Sequence, residues 1–295
     1  MLTSEYYVLD GAKTLAFPTK QGQKMMVKAT RGSDLNWKSY DVHGEIWFES
    51  QISLYDFSAV KTTDEVVSEK IQSILKNAVR LNSEFLSNWK AFKIETHLEF
   101  CRNWGLGSSS SLIHLVADWA DVNPFLLHFK VSQGSGYDIA CAGADGPLVF
   151  ALADDSLHYE EVDFNPSFTK NLYFVHLNEK QSSDDAVKYY FKHAKNKKAT
   201  VKALTEITDK IISAKDFNEF CGLLRRHEEI VAREMKLKTV QSERFSDFQG
   251  LTKSLGAWGG DFVLAASDKG QEKVHSYFNE KGFDTVVAFD DMICQ

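Results

Sequence analysis

Paired cysteine spacings are missing from this sequence. Its four cysteines, Cys101, Cys141, Cys221 and Cys294, lie far apart, with no CxxC and no Cys/His metal spacing. That excludes a disulfide framework and a thiolate zinc site, and reduced, mostly buried thiols in a cytoplasmic protein are expected. No apolar run reaches the roughly 18 residues that a membrane span needs. The start, MLTSEYYVLDGAK, carries no basic segment followed by a long apolar core, so no secretory signal is expected. An excess of positive charge is absent too. With 34 basic and 41 acidic residues the net charge is −7, which disfavours nucleic acid and anionic membrane as partners. A local basic pocket for an anionic small molecule remains compatible with that balance. Repeats and low-complexity segments are not evident.

What is present is an ordinary globular composition over 295 residues, enough for one large or two smaller domains. The first hundred residues read as β-rich: YYVLD, TLAFP, KMMVKA, GEIWFES and ISLYDF are short aromatic and β-branched runs between turn residues. Residues 64–88 interrupt them with helical spacing, at Val66, Val67, Ile71, Ile74, Leu75, Ala78, Val79 and Leu81, and Asp64 or Thr63 is placed to cap the start. KAFKIETHLEF alternates, so Phe92, Ile94, Thr96, Leu98 and Phe100 share one strand face. A helix is expected over about 110–121, and a short one from Asn123-Pro124. Further on, PLVFALAD and LHYEEVDF read as paired strands and NLYFVHL as another. Helices are expected over about 183–196, 199–213, 216–235 and 242–254. The close is strand GDFVLAAS, helix GQEKVHSYFNEKG and strand DTVVAFD, which predicts a second α+β layer. Composition shifts near 155–170, the best boundary between domains.

Three glycine-rich elements stand out. GLGSSSS (105–111) sits between the strand run and the helix run. Its glycines permit backbone that turns N–H groups to one side, and the following helix adds unpaired N–H groups and a positive dipole end, which favours phosphate oxygens. A serine N-cap after a glycine turn explains the stretch equally well when it is taken alone. It is not a Walker loop, because no Gly-Lys-Ser/Thr follows. SQGSGYDIACAGADG sets Asp138 in an apolar stretch bracketed by glycines. Asp138 is either a cap for nearby N–H groups or a general base for a hydroxyl. TKSLGAWGGDFVLAAS carries Gly256, Gly259 and Gly260 ahead of a strand, as turn chemistry or as a close backbone approach to a ligand. One site built from all three is simpler than three unrelated turns. NEKQSSDDAV offers Lys180, Gln181, Ser182 and Ser183 at a strand-to-helix junction, a reasonable anion site, and Lys253 is a second cationic candidate. For each alone, a solvated lysine and a serine cap are the more ordinary reading. Arg225, Arg226 and His227 with Glu228 and Glu229 read as a solvated helix face.

Taken in order, these stretches resemble the three motifs of the GHMP kinases, the family of galactokinase, homoserine kinase, mevalonate kinase and phosphomevalonate kinase. SEYYVLDGAKTLAFP is similar to the first motif, with Ser4 where the family has glycine. GLGSSSS is similar to the phosphate loop, and KSLGAWGGDFVLA to the third motif, with Trp258 in place of a glycine. GSGYDIACA and KSLGAWGGD resemble the phosphomevalonate kinase branch, and residues 136–140 resemble the bacterial GYDIA subgroup. The resemblance covers nearly the whole chain.

It implies an α+β fold of two domains: an N-terminal ATP-binding domain (1–160) whose βαβ unit has a left-handed crossover, and a ferredoxin-like C-terminal domain (161–295). It implies an ATP-dependent phosphotransferase using Mg²⁺, acting on an anionic small molecule of mevalonate or phosphomevalonate type, as a cytoplasmic monomer or homodimer. By the same resemblance, Gly105, Leu106, Gly107, Ser108, Ser109 and Ser110 would wrap the ATP phosphates. Ser109 would bind Mg²⁺ and Asp138 would be the catalytic aspartate. Ser135, Gly136, Lys180, Ser182, Gly256, Ala257, Gly259 and Gly260 would serve the acceptor. There are departures. The mevalonate branch supplies a lysine just ahead of the first motif; this sequence opens at MLTSEYY, so that lysine is either absent or lost through a late start, and Lys13 does not align with it. The branch's glutamate metal ligand would fall near Leu127-His128, where no acid stands. These departures, with Trp258, favour a degenerate relative that binds nucleotide or metabolite without turnover, against which the intact Asp138 and the serine loop argue; a GHMP kinase acting on a sugar or homoserine is a further alternative.

Overall fold

The alternation over 91–98 becomes a strand with Ile94, Thr96 and Leu98 buried on one face, as the period of two requires. The computed structural model describes every residue except 89, 154–155, 181–182, 196, 257, 259 and 295, and the chain divides into two compact units. One comprises 1–20, 103–105 and 144–295, and the other 21–102 and 106–143.

The first unit begins with a 3-10 turn, Tyr7–Asp10, and strand β1 (Thr14–Ala16). YYVLD is therefore not a strand. Ser4 and Tyr6 have φ of 60° and 64°, and Gly11 at the end of the turn has 92°, so the segment coils and buries Tyr7 and Val8.

The second unit holds a five-stranded sheet of β2 (Gln23–Thr30), β3 (Asp34–Tyr40), β4 (Ile46–Ser53), β5 (Ala59–Thr62) and β6 (Ala91–Leu98), in the order β2-β6-β3-β4-β5. β6 runs parallel to β3 and antiparallel to β2. Helix α1 (Glu65–Leu81) is capped by Asp64, whose side chain accepts the Val67 N–H at 3.1 Å. α2 (Ser108–Ala120), α3 (Pro124–Val131) and α4 (Tyr137–Ala142) complete the unit. Asn123 caps α3, with Pro124 at the first position, where its missing N–H costs nothing. Leu35, Trp37, Phe48, Ile52 and Ile94 of the sheet share one core with Ile71, Ile74, Leu75 and Ala78 of α1 and Ile113, Val116 and Ala117 of α2.

The remainder of the first unit contains β7 (Leu148–Ala153) and β8 (Ser156–Glu161), which join β1 in an antiparallel sheet ordered β1-β7-β8. There follow β9 (Leu172–His176), α5 (Ser183–His193), α6 (Lys197–Ser213), α7 (Phe217–Met235), α8 (Val240–Arg244), β10 (Leu251–Ser254), β11 (Phe262–Ala266), α9 (Gln271–Glu280), β12 (Val286–Ala288) and α10 (Phe289–Met292). The second sheet is antiparallel, ordered β10-β11-β9-β12, and β9 is buried along its length. The helix expected over 242–254 is instead the short α8 followed by β10, which extends to pair with β11. The four cysteines are free and half-buried rather than buried. Among the described residues, no helix is long and apolar enough to cross a membrane.

Candidate active site

GLGSSSS forms a loop that opens α2. Gly105 and Gly107 have φ of 65° and 78°, the left-handed region that glycine reaches without steric cost. Gly107 occupies the N-cap position, and no side chain caps the helix there. The first-turn N–H groups of α2 are thereby left to an external acceptor. Asn103–Gly105 belong to the first unit, and a Cβ on Gly105 would collide with the Asp261 carboxylate. Leu106 and Ser108 are half-buried, Ser109 is exposed and Ser110 is buried. Ser111 donates to the Gln23 side chain at 2.7 Å, which ties the first turn of α2 to β2.

Asp138 lies in the first turn of α4, which starts from Gly136 at φ 87°. The Ser110 hydroxyl donates to Asp138 Oδ2, and the Ile139 N–H donates to Oδ1 at 3.0 Å. The structure thus brings together Asp138 and the phosphate-loop candidate Ser110, whereas Ser109 remains exposed. Ser135 is buried just ahead, its Oγ 3.5 Å from the Tyr137 N–H. Gly136 fits against the rings of Phe125, Phe129 and His128. Leu127 and His128 are both buried, and His128 Nε2 lies 3.2 Å from the Gly134 carbonyl. Among the described residues, no cluster of three His, Cys, Asp or Glu side chains could cage a metal ion.

Within the first unit, parts of SEYYVLDGAKTLAFP, GLGSSSS and TKSLGAWGGDFVLAAS meet, while the element that carries Asp138 lies in the second unit up to Gly143. The Trp258 N–H donates to the Tyr6 hydroxyl at 2.7 Å, which joins SEYYVLDGAK to TKSLGAWGGD, while Gly105 of GLGSSSS lies against Asp261 of the latter. The Trp258 indole N–H donates to the Lys238 carbonyl at 3.0 Å, and Tyr6 stacks on Tyr190 at 5.9 Å. Burial pushes the Tyr6 phenol up to about 12. Gly256 is left-handed at φ 60°, and Gly260 is buried. Lys180 is exposed, and Ala257, Gly259 and Ser182, with Gln181, lie outside the described residues.

Two expectations need correction. Lys253 is not available to an anion: it is fully buried, bonded to Glu5 and to the Ser254 carbonyl at 2.8 Å. The 225–229 segment is not a solvated face throughout. Arg225, Arg226 and Glu229 are exposed, but His227 and Glu228 are buried on the other side of α7. His227 Nε2 accepts the Ser4 N–H at 2.7 Å, and Glu228 accepts the Val240 and Ser254 N–H groups at 3.1 and 2.8 Å. Burial holds His227 well below the ordinary imidazole range, with Lys253 adding to that, and burial raises the carboxyls of Glu5 and Glu228. The helical period of α7 was the signal, since Leu224, His227, Glu228 and Val231 fall on one face. Glu5 had no such signal, because no regular period covers it.

No family model matches the sequence, and no curated protein matches it. Solved structures do. The mevalonate kinase of Methanococcus jannaschii is similar with a TM-score of 0.68 at 15% identity, over 95% of this chain and 92% of that one. The phosphomevalonate kinase of Streptococcus pneumoniae, in complex with phosphomevalonate and AMPPNP, is similar with a TM-score of 0.66 at 15% identity, over 97% and 96%. The galactokinase of Lactococcus lactis, complexed with galactose, is similar with a TM-score of 0.65 at 14% identity, over 100% and 91%. The chain therefore has the α+β fold that these mevalonate, phosphomevalonate and galactose kinases share.

Proposed function

We propose that the chain is a GHMP-type kinase that transfers the γ-phosphoryl group of ATP to a small, anionic acceptor of mevalonate or phosphomevalonate type. The observation that carries this reading is the hydrogen bond from Ser110 to Asp138. It sets a carboxylate beside the first turn of a helix whose N–H groups have no side-chain cap, entered through a left-handed glycine. Phosphoryl transfer needs alignment and charge neutralisation more than covalent chemistry, and this pairing supplies a polyphosphate cradle with a base at its edge.

In this reading the N–H groups of 105–110 hold the triphosphate. Asp138 orients the acceptor hydroxyl and takes its proton as the oxygen bonds to the γ-phosphorus and the bond to the ADP oxygen breaks. The Ser110 hydroxyl fixes the carboxylate's rotation. Ser135 and Gly136, in the same unit as Asp138, serve the acceptor side. Mg²⁺ suits the donor set, because it keeps several waters and relies on substrate phosphates rather than on an all-protein cage. The exposed Ser109 hydroxyl would hold it with those phosphates, and it would neutralise charge on the β- and γ-oxygens.

A second reading, nucleotide or metabolite binding without turnover, is favoured by one observation. Where the mevalonate branch is expected to carry an acidic metal ligand, Leu127 and His128 are buried and His128 is engaged with Gly134. ADP release measured with mevalonate, phosphomevalonate, homoserine and galactose separates the two. Turnover with one acceptor supports the kinase. MgATP binding without ADP release from any of the four supports the binder and sinks the kinase reading.

A further inference from the structure

Asn103, Trp104 and the first loop residue, Gly105, are gripped by two adjacent strands of the first unit and the residue that precedes one of them. His176 ends β9 and Phe262 begins β11, and the two are cross-strand partners. His176 is buried, with Nε2 3.1 Å from the Asn103 carbonyl, 73 positions away in sequence. A carbonyl can only accept, so in this bond Nε2 is the donor. On the other side of the ring, Nδ1 lies 3.3 Å from Asn178 Oδ1, and the Asn178 amide nitrogen donates to the Gly282 carbonyl at 3.1 Å. Phe262 takes Trp104 edge-on, with ring centroids 5.6 Å apart at 89°, and the His176 and Phe262 rings are 5.0 Å apart. Gly105, just after Trp104, lies against Asp261, just before Phe262, and completes the grip. Asn103, Trp104 and Gly105 are thus each fixed by a different contact: a hydrogen bond, a ring edge and a close backbone approach.

We propose that His176 and Phe262 form a clamp that sets the entry of the glycine loop, and that His176 is a positioning residue for the nucleotide's polyphosphate. The proposal rests on the reading of 105–110 as the phosphate loop. A histidine serving only to fill the core would be replaceable by an aliphatic side chain. This one spends its donor on the backbone two residues before Gly105, whose left-handed φ aims the peptides that follow. Loss of the bond leaves the Asn103 carbonyl without that donor and the loop entry free to rotate.

The test compares affinities for MgATP and for adenosine, which lacks phosphates, by calorimetry on the full chain. His176→Leu is expected to weaken MgATP about tenfold, as loss of one hydrogen bond of about 1.4 kcal/mol implies, and to leave adenosine within about twofold. His176→Gln keeps an N–H donor and is expected to recover most of the loss. Equal weakening of both ligands, or wild-type MgATP affinity in a His176→Leu protein that melts cooperatively, overturns the clamp. If His176→Leu does not fold, Phe262→Leu gives the same comparison with the hydrogen bond intact, and unchanged MgATP affinity there overturns it equally. Absence of MgATP binding by the unaltered protein is a different failure: it removes the phosphate-loop reading itself.

Discussion

Glu5 and Lys253 form an ion pair that water does not reach. Both side chains are fully buried, and 248 positions of sequence separate them. Glu5 stands between two left-handed residues, Ser4 and Tyr6, and Lys253 lies on the strand that leads into the third glycine-rich element. The pair therefore anchors SEYYVLD beside TKSLGAWGGD, and the Tyr6 hydroxyl continues the connection to the Trp258 N–H.

Lys253→Met should destabilise the protein by about 3–5 kcal/mol, because it strands the Glu5 carboxylate in the core. The Glu5→Gln/Lys253→Met double variant removes both charges and should cost clearly less than the sum of the single variants. Urea unfolding of the four proteins makes the comparison. Strict additivity would show that the two side chains do not interact.

Stability should fall with acid through His227. Folded, its imidazole stays neutral to well below 6.5, while an unfolded chain protonates near 6.5. The contribution is present above about 6.5 and is lost as pH drops toward the folded value, at up to about 1.4 kcal/mol per pH unit. Glu5 and Glu228 act in the opposite sense. Their raised carboxyls favour the folded state at low pH, and that contribution is lost as pH rises through their folded values. His227→Gln keeps an acceptor for the Ser4 N–H and should flatten the decline between pH 6.5 and 5. An identical decline in urea titrations at pH 7 and pH 5 would assign it to other groups.

Gly105→Ala meets two obstacles, a left-handed φ and the Asp261 carboxylate. In the wild-type background it should cost well over the roughly 1–2 kcal/mol of left-handed strain alone. With Asp261→Ala also present, only that strain should remain. Thermal melts of the four-way set decide this, and an equal penalty in both backgrounds would remove Asp261 from the account.

Asp138→Asn should leave MgATP affinity within a few fold and lower turnover by about 10²- to 10⁴-fold with whichever acceptor is active. Ser110→Ala frees the carboxylate's rotation and should lower turnover by a smaller factor, with KM for ATP little changed. Steady-state kinetics test both. Wild-type turnover in Asp138→Asn would end the base assignment.

Residues whose neighbours in sequence explain them were legible before the structure. Asp64 and Asn123 cap the helices their sequence positions indicate, and Ile94, Thr96 and Leu98 face inward as alternation demands. GLGSSSS could be read as a strand-to-helix turn, because its glycines and the following apolar period both lie within a dozen residues. What escaped depends on distant partners or on short elements. YDIACA is a six-residue helix, too short for a period to show. DLNWKSY pairs with β4 and β6, although polar residues alternate through it and mask the strand. Ser110 rather than Ser109 reaches Asp138 because its place on the helical turn points it inward, a difference of one residue that four identical letters hide. His227 and Glu228 are polar side chains that read as surface until Lys253 is placed beside them, and nothing near Glu5 in sequence marks it as buried.

Ser4 shows why likeness in shape can outlast likeness in letters. It adopts φ 60°, an angle that glycine supplies freely, and its hydroxyl donates to the Lys13 carbonyl at 2.6 Å while its N–H is held by His227. A serine thus holds a turn that glycine would adopt freely, with these two tethers to keep it there. Such exchanges erode the alphabet of a motif without touching its dihedral angles.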